Sequence, residues 1–279
     1  MMSETAMKKP YFVVLGNEKG GTGKSTVAMH LIVNLLRLGF KVGCIDVDAR
    51  QGTLTRYFDN RRHYCESQGV NLALPDYQTV HKSSADRRAE AEKEETASFN
   101  EVQAQLQGHD FIVVDTPGND TCLSRLAHAH ADTLITPMND SFVDLDVLVT
   151  IKDLQNKEIK PSIYAETVWQ QKKERLMRDK VSMDWIVLRN RLSNIHARNK
   201  EEMWETLKLL SNRLGFRLAA GFGERVIFRE LFLKGLTLLD LKDLDLPLRM
   251  SHITARQELR SLMQIIDLPH LRESLDEAA

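Results

Sequence analysis

The 279-residue chain contains no apolar run near the ~20 residues needed to cross a bilayer, so no segment reads as a membrane span. Residues 1–10 carry charges but no long apolar centre, which argues against a secretion signal. Cysteine is scarce: Cys44, Cys65 and Cys122 are odd in number, far apart and without a C-x-x-C pair. That pattern excludes a disulfide scaffold, offers no iron–sulfur ligand set and suits a reduced, cytoplasmic compartment. The nine histidines show no metal spacing either; His128 and His130 stand only two residues apart and read as surface groups. Charge of one sign is also lacking. With 38 basic and 39 acidic residues the net charge is −1, so any nucleic-acid contact must come from a local patch. There is no internal repeat, coiled coil or low-complexity tract.

What is present is an ordinary globular balance, 42% hydrophobic and 28% charged, in a chain long enough to bury a large core. Tyr11–Gly16 is a short apolar β-type run followed at once by a glycine-rich turn. Thr26–Leu38 has helical spacing and is stopped by Gly39; Lys41–Asp46 is a second buried strand. Strand, turn, helix and strand make a βαβ unit, hence a parallel sheet with a right-handed crossover. From Arg56 to His109 the chain is polar, with ADRRAEAEKEE at 85–95, and reads as a helical excursion with a solvated face. Apolar strands then resume at Asp110–Asp115, Thr133–Pro137 and Trp185–Leu188, with Phe216–Ala220 a candidate last strand. Helices are expected over 121–130, 141–157, 166–179, 197–214, 224–233 and 252–266. The predicted fold is a single α/β domain over residues 1–279, with a doubly wound, mostly parallel sheet flanked by helices.

The segment Asn17-Glu18-Lys19-Gly20-Gly21-Thr22-Gly23-Lys24-Ser25-Thr26 follows the first strand and opens the first helix. A phosphate-binding loop requires that context. The glycines let backbone N–H groups curl around phosphate oxygens, and the helix N-terminus adds positive potential. Lys24 can reach the terminal phosphates of ATP, and the Ser25 hydroxyl can ligate Mg²⁺. Asp46 and Asp48 lie where the second strand ends, the edge of an open parallel sheet at which ligands bind; either could instead cap the helix that follows. Asp115 ends an apolar strand ahead of Thr116-Pro117-Gly118, an arrangement suited to holding Mg²⁺ through water, with Gly118 letting its backbone follow the γ-phosphate.

The strict phosphate-loop pattern fails at Glu18. The match is to K-G-G-x-G-K-[ST], and NEKGGTGKST resembles the deviant Walker A motif of the ParA/MinD family of P-loop ATPases. That resemblance implies hydrolysis of ATP to ADP and phosphate at a slow, switch-like rate. It implies an ATP-state homodimer in which Lys19 reaches the partner's phosphates. It also implies that Asp48 positions the attacking water, that Asp46 supports the Mg²⁺ site and that Asn190, in LRNR, reads adenine. As an alternative, Asn190 is a turn residue.

Several stretches, among them DNRR at 59–62, TPMNDSFVD at 136–144, RVIFREL at 225–231 and GLTLLDL at 235–241, resemble the division-plane-positioning branch of this family. That branch implies two protein partners, the centromere-binding protein ParB and the division protein FtsZ, whose polymerisation it inhibits. It also implies non-specific DNA binding and a place on the nucleoid near chromosome origins or cell poles. A cargo-moving partition ATPase of the same family is the alternative. Arg198, Lys200, Arg213, Arg217 and Arg225 are the candidate DNA contacts; ordinary solvated helix faces would look the same. The acidic ending DLPHLRESLDEAA disfavours a membrane-targeting helix, and only ten residues precede the first strand, leaving no room for an added DNA-binding domain. Trp169, Phe222 and Phe232 are candidate exposed apolar groups.

Overall fold

The computed structural model describes residues 9–48, 51–139, 141–153, 158–190, 197–223, 225–244 and 250–268. Its elements run in the order β1 (Tyr11–Leu15), α1 (Lys24–Arg37), β2 (Val42–Asp46), α2 (Thr53–Gln68), β3 (Asp76–Thr79), α3 (Arg88–Gln105), β4 (Phe111–Asp115), α4 (Cys122–His130) and β5 (Thr133–Asn139). A 3₁₀ turn at Phe142–Val147 follows. Then come β6 (Val149–Asp153), β7 (Glu158–Pro161), α5 (Ile163–Asp179), β8 (Asp184–Asn190), α6 (Ala197–Leu214), β9 (Arg217–Ala220), α7 (Ile227–Leu233), α8 (Asp240–Asp243) and α9 (Met250–Ile266).

Seven strands form one sheet in the order β3-β2-β4-β1-β5-β8-β9. Every adjacent pair in it is parallel. β1 lies in the middle with β4 and β5 beside it, so the chain winds outward in both directions from the strand that carries the glycine-rich loop. Strands covered on both faces must be apolar throughout, and β1, β2 and β4 are buried almost end to end. Their side chains divide between two layers. Phe12, Val14, Ile45, Ile112 and Val114 meet the side holding α3, α4, α5 and α6. Val13, Leu15, Cys44, Val113 and Ile135 meet α1, α2 and α9.

Three expectations change. The predicted helix over 141–157 is a 3₁₀ turn followed by the antiparallel hairpin β6–β7. VTIKD opens on three consecutive β-branched residues, Val149, Thr150 and Ile151, which favour strand, and burial of Leu145, Val147, Leu148 and Val149 in the core outweighs the helical spacing. The polar excursion contains β3, whose sequence DYQT has no apolar face. It is a four-residue edge strand paired to β2 on one side only, so little in its sequence announces it. The short helix α8 also lies where none was predicted.

That last region is tied down by an ion pair inside the protein. Arg61 of α2 and Asp240 of α8 are each 1% exposed. They are joined at 2.8 and 2.9 Å, and Arg61 also donates to the carbonyls of Ala73 and Gly235. The GLTLLDL segment is thereby clamped onto the helix that starts beside the phosphate loop.

Candidate functional site

The carboxyl ends of β1, β2, β4, β5 and β8 converge on one rim, and the phosphate loop runs along it. Gly23 caps α1 with φ 95°, a left-handed conformation that favours glycine. A Cβ there would meet Asn190 Nδ2 at 2.0 Å. Asn190 is 4% exposed and donates to Thr22 O at 2.8 Å, so the end of β8 holds the loop directly. Asn17 does three things at the loop's start. Its side chain donates to Pro137 O (2.6 Å) and accepts from Lys19 N (2.7 Å), and its carbonyl accepts from Lys24 Nζ (3.1 Å).

Lys24 is 8% exposed and also donates to Lys19 O at 3.1 Å. Burial lowers its pKa, while the nearby Asp115 and Asp48 carboxylates oppose that shift. Its ammonium is bonded to two carbonyls, an arrangement a triphosphate can replace with stronger charge-assisted bonds. Ser25 Oγ donates to Asp115 Oδ2 at 2.5 Å. The other oxygen of Asp115 is buried without a hydrogen-bond partner, and burial together with the neighbouring Asp46 carboxylate pushes Asp115 up to about 7. An orphaned buried carboxylate oxygen beside a hydroxyl fits a hydrated divalent cation such as Mg²⁺.

Asp46 sits opposite Asp115 in the β2–β4 ladder. Its carboxylate accepts from Asp48 N (3.0 Å) and from Thr55 N and Oγ1 (3.1 Å each), so it secures the start of α2 and the loop before it. Asp48 is half-buried, lines the phosphate cleft with Gln51, Thr53, Thr116 and Gly118, and accepts the Gln51 and Gly52 amides on its carbonyl. A Cβ on Gly118 would lie 2.9 Å from Gly20 N, so the loop after β4 passes directly against the phosphate loop. The cleft also contains Gly20, Gly21, Thr22, Gly23, Lys24, Ser25 and Thr26, with a volume of about 220 Å³.

A larger cavity of about 470 Å³ adjoins it and shares Gly23, Thr26 and Thr53. Its walls include Met29, Arg56, Asn190, Phe222, Phe228, Phe232 and Leu233, an apolar slot suited to a flat base. Phe222 is therefore not the exposed group expected: it is 1% exposed at the floor of this cavity, and Phe232 is half-buried in its wall. Trp169 is 54% exposed, its indole N–H bound to Leu214 O. Three histidines are buried rather than on the surface: His30, His128 and His252. His30 is buried under the base cavity against Phe222 and Phe228, and desolvation lowers it to about 4. His128 is buried against Gly16, where a Cβ would meet its Nε2 at 2.2 Å, and burial together with the Lys24 charge lowers it to about 4.

Lys19 folds back on its own chain. Its Nζ donates to Val143 O at 2.7 Å and meets Asp144 Oδ1 at 3.2 Å, with a third of the side chain exposed. Of the candidate DNA contacts, Arg213 is exposed on α6. Arg217 pairs with Asp184 at 2.5 Å and Arg225 with Glu258 at 2.7 Å, so each would have to leave a carboxylate to meet a phosphate. Arg198 and Lys200 fall in the first turn of α6, where side chains lie outside the described residues.

Sequence reasoning missed Asn17, Thr53, Arg56, Asp144 and Phe228. Asn17 had a signal, since it opens the loop motif; the others approach the site from elements distant in the chain. Among the described residues no helix is long and apolar enough to cross a membrane.

Comparison with known proteins adds three kinds of match. The family model of the ATPase MipZ matches residues 11–270. A 39-residue stretch is 54% identical to the iron–sulfur cluster carrier protein of Bacillus subtilis, covering 14% of this chain and 11% of that one. The chromosome-partitioning ATPase Soj of Thermus thermophilus is 24% identical over 155 residues, covering 51% of this chain and 62% of its own. The chain thus spans less than two thirds of either relative. Among solved structures, the Cyanothece McdA–ATP complex superposes with a TM-score of 0.60 at 14% identity, over 95% of this chain and 99% of that one. At that identity the likeness concerns the fold, a ParA/MinD-type P-loop architecture.

Proposed function

The chain belongs to the MipZ family of ATPases, and on that footing we propose that it is an ATP-switched dimer that positions the division site. ATP binds with its phosphates in the Gly20–Thr26 loop and its base in the cavity lined by Asn190 and Phe228. Ser25 and Asp115 hold Mg²⁺, with Asp46 behind them; bound there, the cation neutralises charge on the phosphates. Lys24 balances the charge of the terminal phosphates, and Asp48, at the cleft wall, orients the attacking water. Phosphoryl transfer needs positioning and charge neutralisation more than covalent help, and these residues supply both.

One observation carries this reading. Lys24, Ser25, Asp48 and Asp115 meet at the strand ends around a glycine-rich loop, while Lys19 precedes Gly20 at the edge of that loop, with its ammonium on Val143 and Asp144. A second copy approaching that edge would receive Lys19 on its own triphosphate, so ATP favours the paired state because it touches both subunits in that state alone. Pairing doubles any basic surface, to which Arg198, Lys200 and Arg213 of α6 would contribute, joined by Arg217 and Arg225 once these leave Asp184 and Glu258, and supports non-specific DNA binding. ParB and FtsZ are the protein partners that family membership suggests, with FtsZ polymerisation inhibited in the ATP state and the protein held on the nucleoid.

FtsZ sedimentation tests this function. Polymer yield falls when the protein is added with ATP and is unchanged with ADP. Equal polymer in both nucleotides contradicts division-site regulation and favours the partition-ATPase reading, to which the likeness to Soj points.

A further inference from the structure

Arg56 stands in the first turn of α2, at the positive end of the helix dipole, and that turn contains no acidic residue. A cation there is disfavoured by the dipole unless something else compensates it. The compensation comes from the preceding loop: Arg56 Nη2 donates to Gln51 O at 2.6 Å and Nε to Gly52 O at 3.4 Å. The other end of that loop is closed by Asp48 O, which accepts Gln51 N at 2.9 Å and Gly52 N at 2.8 Å. Asp48, Gln51 and Thr53 line the phosphate cleft, whereas Arg56 and Thr53 line the base cavity. The guanidinium therefore belongs to one chamber and grips the loop that walls the other. Arg225, which also lines the base cavity, is paired with Glu258.

We propose that Arg56 is a positioning residue that couples occupancy of the base cavity, by the nucleoside part of a nucleoside triphosphate, to the loop carrying Asp48. A nucleoside filling the cavity confines the guanidinium against the Gln51 carbonyl, and the loop is held with Asp48 facing the phosphates. Without the guanidinium Gln51 and Gly52 keep their bonds to the Asp48 carbonyl but lose the tether to α2. Arg56 acts through Asp48, so its removal lowers turnover more than binding. This inference rests on the nucleotide-site reading above.

The test compares wild type, Arg56→Gln and Arg56→Lys in steady-state ATP hydrolysis, with inorganic tripolyphosphate as a base-free binding probe. Arg56→Gln lowers kcat about tenfold while KM changes less than about threefold, and Arg56→Lys, which keeps a cationic donor, recovers part of the loss. Tripolyphosphate affinity stays at the wild-type value in both variants. Amide exchange at 51–53 in the presence of a slowly hydrolysed ATP analogue is faster in Arg56→Gln than in wild type. Unchanged kcat in Arg56→Gln, with wild type binding and hydrolysing ATP, overturns the role of Arg56 alone. A joint fall in ATP and tripolyphosphate affinity also overturns it, because Arg56 would then merely support the cleft. Should Arg56→Gln fail to fold, Arg56→Lys with a lowered kcat, faster exchange at 51–53 and wild-type tripolyphosphate affinity supports the proposal, and Arg56→Lys with wild-type kcat and wild-type exchange contradicts it. No ATP binding by wild type overturns the nucleotide-site reading together with this one.

Discussion

The two chambers of the proposed nucleotide site are built in opposite ways. The phosphate cleft is polar, and most of it is one contiguous stretch, Gly20–Thr26, completed by the ends of β2 and β4. The base cavity is apolar and is assembled from α1, α2, the end of β8 and the α7 region, more than 200 residues apart in the chain. The first works by charge and backbone N–H groups, so a few residues fix its chemistry. The second works by shape, so many residues share the task and each is replaceable by another of similar volume. Each chamber also rests on a buried neutral histidine, His128 under the phosphate loop and His30 under the base cavity.

The sharpest way to break this contrast is Lys24→Ala. Removing the one buried ammonium of the polar chamber costs about 4 kcal/mol of ATP binding, roughly a thousandfold in Kd, read by calorimetry. Retained tight binding would show that the phosphate chamber does not depend on single charges. Asp48→Ala comes next: hydrolysis falls roughly a hundredfold while ATP affinity is kept, as expected for a group that acts on the transition state. Normal turnover would remove Asp48 from the mechanism. In the apolar chamber, Phe228→Ala weakens ATP binding by only about tenfold and leaves tripolyphosphate binding alone. If both ligands weaken equally, the two chambers are not separable.

The smallest effect is one of stability. Both histidines titrate near 6.5 when unfolded and near 4 in the folded chain, so between those values the unfolded state binds more protons. Stability is fully present above pH 6.5 and declines as pH falls toward 4, by about 1 kcal/mol per histidine between pH 7 and 5.5. Urea midpoints at the two pH values measure it. His30→Leu and His128→Leu each flatten the decline, and an unchanged slope in either would mean that histidine is not held neutral.

These differences also explain how much could be read from the sequence. The phosphate chamber was legible because its conformational needs, glycine at Gly23 and a cation at Lys24, fall within ten consecutive residues between a strand and a helix. Asp115 was legible because an acid ending an apolar strand is conspicuous. Phe228, Arg56 and Asp144 were not, since nothing local marks a residue whose role is set by a neighbour brought in through the sheet crossovers. His128 was misjudged for the same reason: in AHAHA it reads as a helix-surface residue, yet α4 turns it beneath β1. The parallel core strands followed from apolar runs, whereas the edge strand β3 and the hairpin β6–β7 are set by pairing partners rather than by their own pattern.

In the proposed switch, Lys19 leaves Val143 and Asp144 to complete a second subunit's site. Light scattering coupled to size exclusion, with ADP and then with a saturating, slowly hydrolysed ATP analogue, measures this directly. The wild-type chain is predicted to run as a monomer with ADP and as a dimer with the analogue, and Lys19→Ala to stay monomeric in both. A wild-type chain that binds the analogue and remains a monomer contradicts the switch.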